Sequence, residues 1–354
     1  MTGQELAAAI KTPTHEGVQR AMTKIAGILP KTPLLPLEVD GVTLWCKAEM
    51  LQPVGAFKIR GAWHRLSDLN EEERARGVVG VSSGNHAQGV AWAAKKLGIA
   101  ATIIMPSNAP LMKLEATKAL GAQVVLYDRA TESRDEVAAG LIAQNGATLV
   151  HAFGDPWVIE GQGTAGIEIA EQLAALGLGG PDMIVSCCGG GGLASGLALA
   201  CPDADIAIVE PEGWDDIIRS LEAGEILPVK DLTHATYCDA LQTPQTYPVN
   251  FEILRRRVSN GVSVTTGEVI TAMRVVFEKL HLVVEPGGAV ALAAVLAGKI
   301  QPKGKTAITL SGGNVDLNVF MKLLSQAASA TGISIRPQIS SNALVKSRII
   351  SSLC

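Results

Sequence analysis

Between Val78 and Leu310 the chain alternates short aliphatic runs with helix-length stretches, and few architectures can absorb that order. Strand-like Val78–Val81, Ala101–Met105, Gln123–Leu126 and Thr148–Val150 are separated by helical patterns at Asn85–Leu97, Leu111–Leu120 and Ser133–Gln144. A second series follows, with helix Gly163–Leu176, strand Met183–Ser186, helix Leu193–Ala200, and strands Ile206–Val209 and Thr306–Leu310. Repeated β-α units run their strands parallel and lay helices on both faces of the sheet. The expected class is α/β with two lobes, each an open, mostly parallel sheet flanked by helices. A length of 354 residues exceeds one average domain and agrees with two.

Ahead of this region, Val18, Ala21, Met22, Ile25 and Ile28 form a helical stripe. Pro30, Pro33 and Pro36 then force an extended passage, and Thr43–Glu49 reads as a strand. Only 4% of the chain is aromatic while 37 residues are Gly, so small aliphatic side chains must supply the core, which suits helices packed closely on a parallel sheet. A formal charge of −4 without a basic cluster argues against a nucleic-acid partner. Met1–Ala9 has no cationic start leading into an apolar core, and no apolar run is long enough to span a membrane, so a cytoplasmic protein without a membrane partner is expected. Six cysteines show no C-x-x-C spacing, and reduced thiols are the default.

Chemistry in open parallel sheets collects where strands end. After strand Thr43–Glu49 comes Gln52-Pro53-Val54-Gly55-Ala56-Phe57-Lys58-Ile59-Arg60-Gly61-Ala62, ahead of a helix expected from Ala62. A helix N-terminus and an apolar neighbour both disfavour the ammonium of Lys58 and leave a nucleophilic amine, as a Schiff-base lysine requires. On this stretch alone a solvated lysine is the commoner outcome. Ser82-Ser83-Gly84-Asn85-His86 precedes a helix whose free N–H groups suit a carboxylate or phosphate, although an N-cap needs only one such residue. Gly189-Gly190-Gly191-Gly192-Leu193 forms a loop without side chains, more glycine than a turn needs, and reads as a phosphate nest. Its Gly189-x-Gly191-x-x-Ala194 spacing, with Glu210 closing the next strand, also fits a nicotinamide dinucleotide site. Ser311-Gly312-Gly313-Asn314 follows another strand. Glu210, Glu212, Asp215 and Asp216 cluster around Trp214, either solvated or bridged by a hard cation.

Taken together, these segments resemble the fold type II pyridoxal-phosphate enzymes, specifically the threonine/serine dehydratase and serine racemase group, whose overall fold is like the tryptophan synthase β chain. The resemblance covers roughly residues 15–324. Its marks are Gly55–Ala62, Ser82–Gln88, His151-Ala152-Phe153, Gly161–Thr164, the four-glycine loop, Glu285–Ala289 and Ser311–Asn314. It implies a large cofactor-binding domain from 1–69 plus 151–325, a small substrate-loop domain at 70–150, and a tail at 326–354. It also implies that Lys58 holds pyridoxal 5'-phosphate covalently, Phe57 packs near the ring, Asn85 bonds the ring hydroxyl, Gly189 to Leu193 hold the phosphate, and Ser311 faces the ring nitrogen. Ser82, Ser83, Gly84, Asn85 and His86 would take the substrate carboxylate. Glu210, Asp216 and the Trp214 carbonyl would bind a divalent cation, Mg or Ca, and the chain would assemble as a homodimer or higher homo-oligomer. The implied activity is dehydration and deamination of a β-hydroxy amino acid such as L-threonine or L-serine to a 2-oxo acid and ammonia.

Ala56 stands where the group usually has serine and Ala240 where glycine is usual, while Leu241–Phe251 diverges, so substrate choice is expected to lie there. Serine racemisation, with Ser83 as a second acid/base, and 3-hydroxyaspartate dehydration are the near alternatives. An NAD-dependent dehydrogenase and a non-catalytic binding protein are the distant ones.

Overall fold

The structure, a computed structural model, describes residues 11–109, 111–128 and 131–330. In chain order its elements are α1 (His15–Ile25), β1 (Leu34–Val39), β2 (Val42–Ala48), α2 (Lys58–Ser67), α3 (Glu71–Arg76), β3 (Val78–Val81), α4 (Asn85–Leu97), β4 (Ala101–Pro106), α5 (Leu111–Ala119), β5 (Gln123–Tyr127), α6 (Arg134–Asn145) and β6 (Thr148–Val150). There follow α7 (Pro156–Ala175), β7 (Met183–Cys187), α8 (Gly192–Ala200), β8 (Asp205–Pro211), α9 (Asp216–Ala223), α10 (Pro248–Arg257), β9 (Val258–Val264), α11 (Thr266–Val275), α12 (Pro286–Leu296), β10 (Thr306–Leu310) and α13 (Leu317–Ala330).

Two sheets carry the fold, one ordered β1-β2-β10-β7-β8-β9 and the other β5-β4-β3-β6. Every pairing is parallel except β1 with β2. The aliphatic runs that mark the central strands are those buried on both faces, among them Ile184, Val185, Ile208 and Ile308 in the first sheet and Val79, Ile103 and Ile104 in the second.

The edges of the first sheet are where local sequence misleads. The proline-rich passage contains β1, with Pro36 inside it. An edge strand leaves one row of N–H groups unpaired, so proline is tolerated there. At the other edge, β9 is a partly exposed strand whose three valines are broken up by Ser, Asn and Gly.

α7 starts at Pro156, ahead of the expected Gly163, because the Asp155 carboxylate accepts the N–H groups of Trp157 and Val158 and proline fits the first turn. Its internal glycines permit close packing on both sides. A Cβ at Gly161 would lie 2.6 Å from the Arg60 carbonyl of α2, and one at Gly163 2.6 Å from the Gly196 carbonyl of α8. α7 thereby holds both functional helices, α2 and α8, close against itself. α2 is further fixed by a buried ion cluster: Arg60 Nε bonds Glu49 at 2.7 Å, its Nη2 bonds Glu168 at 2.8 Å, and Lys47 Nζ bonds Glu168 at 2.6 Å.

Cys46, Cys187, Cys188, Cys201 and Cys238 are buried free thiols. Among the described residues no helix is long and apolar enough to cross a membrane. α13 carries regular structure to Ala330, and the remainder of the expected tail, with Cys354, lies outside the described residues, as does Met1–Ala9.

Candidate active site

Lys58 is the first residue of α2, which begins four residues earlier than expected. Its helix has no side-chain cap, so backbone N–H dipoles point at the start of the helix beside the lysine. The half-buried side chain donates from Nζ to the Ala152 carbonyl at 2.7 Å, and Nζ stands 5.2 Å from the Phe57 ring centre. Burial pulls its pKa down to about 8, leaving an appreciable fraction as free amine near neutrality. The loop before it is laced to the end of β10: Phe57 N–H donates to the Ser311 carbonyl at 3.1 Å, and Ala56 bridges Gly312.

Ser311 is buried, and its hydroxyl meets the thiol of Cys187 at the end of β7. Burial raises the Cys187 pKa, so this neighbour is a neutral thiol. A ring nitrogen placed against Ser311 would meet an uncharged hydroxyl.

The glycine loop leaves β7 and enters α8, which also lacks a side-chain cap. Gly191 has φ of +89°. A Cβ on Gly190 would fall 2.3 Å from the Phe153 ring, and one on Gly192 2.7 Å from Gln162 Oε1. No side chain fits inside this loop, whose N–H groups are presented at a helix N-terminus. That donor set and shape fit a phosphate monoester. Thr246 Oγ1 secures the loop from outside by donating to the Gly190 carbonyl at 3.1 Å. Leu193, the second residue of α8, is buried and continues the loop into the core.

On the second sheet, Ser82, Ser83 and Gly84 are partly exposed at the uncapped start of α4. Asn85 and His86 are buried. Asn85 Nδ2 donates to Glu285 at 2.6 Å, and its Oδ1 accepts from Asn314 at 2.8 Å. His86 Nε2 meets the Val150 carbonyl at 2.8 Å, and burial with nearby Lys58 holds its pKa down to about 3. His86 is therefore neutral and brings no positive charge to a carboxylate.

The acidic cluster stands at the start of α9, joined to the glycine loop through Thr246. Glu210 is fully buried, and its oxygens accept the N–H groups of Ile217 at 3.2 Å and Ile218 at 2.8 Å. Asp216 accepts from Thr246 N–H at 3.1 Å, while the Trp214 indole donates to the His234 carbonyl. Burial, and then the charge of Asp216, raises the pKa of Glu210, while burial, with a smaller push from Asp215, brings that of Asp216 up to about 7. The dinucleotide expectation fails here, because a buried Glu210 that caps a helix cannot reach a ribose.

No local pattern marks Ala152, Phe153, Lys113, Asp239 or Glu285 as functional, although His151-Ala152-Phe153 and Glu285–Ala289 contain three of them. Ala152 acts through its carbonyl and leaves no side-chain signal. Lys113 and Asp239 meet only across the two lobes. Glu285 precedes a proline at a helix start and reads as an ordinary cap, yet its side chain makes no capping bond.

Residues 25–312 match the family described as pyridoxal-phosphate dependent enzymes. An L-threonine ammonia-lyase of Thermotoga maritima is 38% identical over 328 residues, covering 90% of this chain and 80% of the relative. An L-threo-3-hydroxyaspartate ammonia-lyase of a Pseudomonas species is 39% identical over 320 residues, covering 88% and 98%. The crystal structure of serine racemase from Dictyostelium discoideum aligns with a TM-score of 0.80 at 36% identity, covering 87% of this chain and all of that one. The fold type II architecture implied by the sequence marks is the one found. With its lysine, its glycine cradle and these relatives in agreement, the chain belongs to the family of pyridoxal-phosphate dependent enzymes.

Proposed function

We propose that this chain is an ammonia-lyase that dehydrates and deaminates a β-hydroxy amino acid, with L-serine, L-threonine and 3-hydroxyaspartate as the candidate class. The observation that carries this reading is the Lys58 amine, depressed in pKa and held on the Ala152 carbonyl between the glycine loop's helix and the Ser82–His86 loop. When bound, pyridoxal phosphate supplies a conjugated ring that takes up the electron pair released at the substrate α carbon. Lys58 would anchor that group covalently, and its amine, when free, would remove the α proton. Backbone N–H groups of Gly189 to Leu193 hold the phosphate, and Phe57 packs beside the ring. Asn85 has one amide hydrogen left for the ring oxygen after bonding Glu285. The neutral Ser311 hydroxyl does not hold a proton on the ring nitrogen as a carboxylate would, which favours loss of a β hydroxyl over transamination. Ser82, Ser83, Gly84 and Asn85 receive the substrate carboxylate at the N-terminus of α4, with neutral His86 packed beneath them.

A panel of hydroxy amino acids assayed for oxo-acid release tests this. Release from at least one member is expected, and a cofactor-loaded protein inert to the whole panel overturns the reading in favour of a non-catalytic binding protein. The partly exposed hydroxyl of Ser83 and the racemase relative support racemisation as a second reading, which chiral analysis of serine after incubation separates. The proposal extends to a divalent cation, Mg or Ca, held by Glu210, Asp216 and the Trp214 carbonyl. Two buried carboxylates whose pKa burial raises, Glu210 being raised also by the charge of Asp216, support it. It extends also to a cytoplasmic homo-oligomer.

A further inference from the structure

Glu285 is 2% exposed, and its Oε2 has no hydrogen-bond partner among the described residues. A bare buried carboxyl oxygen is costly and needs a reason. The carboxyl lies against the cofactor cleft. The point where Gly312 would carry a Cβ is 2.5 Å from Glu285 Oε1, 3.2 Å from Asn85 Nδ2 and 3.2 Å from the Ala56 Cβ. It thus sits between the lysine-bearing loop, the Ser311 turn and Asn85. Its own helix takes nothing from it.

The amide orientations here are determined by one another. The Val54 carbonyl can only accept, so the group that Asn314 places on it at 2.8 Å is its Nδ2. That Nδ2 also donates to Asn85, so Asn85 must turn its oxygen there and its Nδ2 toward Glu285. A chain of polarity therefore runs from Val54 through Asn314 and Asn85 and ends on a carboxyl group.

We propose that Glu285 is a positioning residue for the cofactor: by accepting one Asn85 amide hydrogen it leaves the other to face the ring oxygen, and its ionisation is transmitted to the ring by that contact. This rests on the proposed function of the same site. The carboxyl titrates near neutrality because burial and Asp239 raise its pKa to about 7, against the lowering effects of Lys113 and Asn85. The other ionisable neighbours, Cys187 and Cys238, are thiols that burial keeps protonated over this range.

The test is the visible absorption spectrum of protein loaded with pyridoxal phosphate, followed from pH 6 to pH 8. Wild type is expected to show a change in band ratio with a midpoint near 7. E285Q keeps the acceptor but cannot ionise, and its spectrum should stay constant over the same range. E285L removes the acceptor and should weaken cofactor binding about 10-fold, the scale of one lost hydrogen bond to a charged group. If E285L does not fold, the comparison of E285Q with wild type decides alone. A wild-type spectrum that is flat over pH 6–8, or an E285Q protein that titrates as wild type does, overturns the proposal. A wild type that develops no visible band with pyridoxal phosphate overturns the parent reading and this one together.

Discussion

Lys113 of α5 forms an ion pair with Asp239, so the second sheet's lobe is tied to a segment that packs on the glycine loop of the first. Leu241, two residues beyond Asp239, has its Cα 3.2 Å from the point where Gly189 would carry a Cβ, and Lys113 Nζ is 3.9 Å from the equivalent point on Gly84. One pair therefore spans the carboxylate loop and the phosphate loop. Asp239 is 48% exposed, so the pair is worth only about 0.5–1 kcal/mol and weakens with salt. Lys113→Met and Asp239→Asn should each raise KM several-fold while leaving the melting temperature nearly unchanged. A double-mutant cycle on kcat/KM should show coupling, and strict additivity would refute the bridging role.

The glycine loop should tolerate no side chain. Gly190→Ala drives a Cβ into the Phe153 ring, and a loss in pyridoxal-phosphate affinity of about 10-fold or more is expected by absorbance titration. Gly98→Ala is the control. Gly98 has φ of +68° with open space around it, so its substitution should cost about 1 kcal/mol of stability and leave cofactor affinity alone.

Arg60→Leu leaves Glu49 and Glu168 as buried carboxylates without their shared partner. A destabilisation of about 3–5 kcal/mol is expected from denaturant unfolding. Lys58 sits two residues away on the same helix, so any folded variant should also lose cofactor affinity.

The depressed pKa of Lys58 has a sign that unfolding can read. Between about 8 in the folded apoprotein and about 10.4 in the unfolded chain, the unfolded state binds more protons. Stability contributed by this residue is then lowest below pH 8 and rises with pH through that window. Melting temperatures of apo wild type should accordingly gain on those of Lys58→Met from pH 8 to pH 10.4, and parallel curves would count against a desolvated ammonium. With cofactor added, Lys58→Met should show neither the visible band nor turnover.

Chelated protein should gain stability when magnesium or calcium is added, by about 2.7 kcal/mol once the cation reaches 100 times its Kd. Glu210→Gln and Asp216→Asn should abolish that response. An unchanged melting temperature in wild type would remove the cation from the proposal.

The sequence alone determined the α/β class, the parallel sheets and the loops in which chemistry gathers, because these rest on local periodicity and on residues such as Lys58, Ser311 and the four glycines whose meaning is carried in short segments. It missed the two edges of the first sheet, where β1 holds a proline and the valines of β9 are broken up by Ser, Asn and Gly, since an edge strand needs less burial and fewer paired N–H groups than a central one. Only the tertiary structure decided that Lys58 rests on the carbonyl of Ala152, that His86 is neutral, and that Asn85 ends on Glu285. Those facts depend on burial and on partners 94, 64 and 200 residues away in the chain, and no local pattern encodes a contact across that distance.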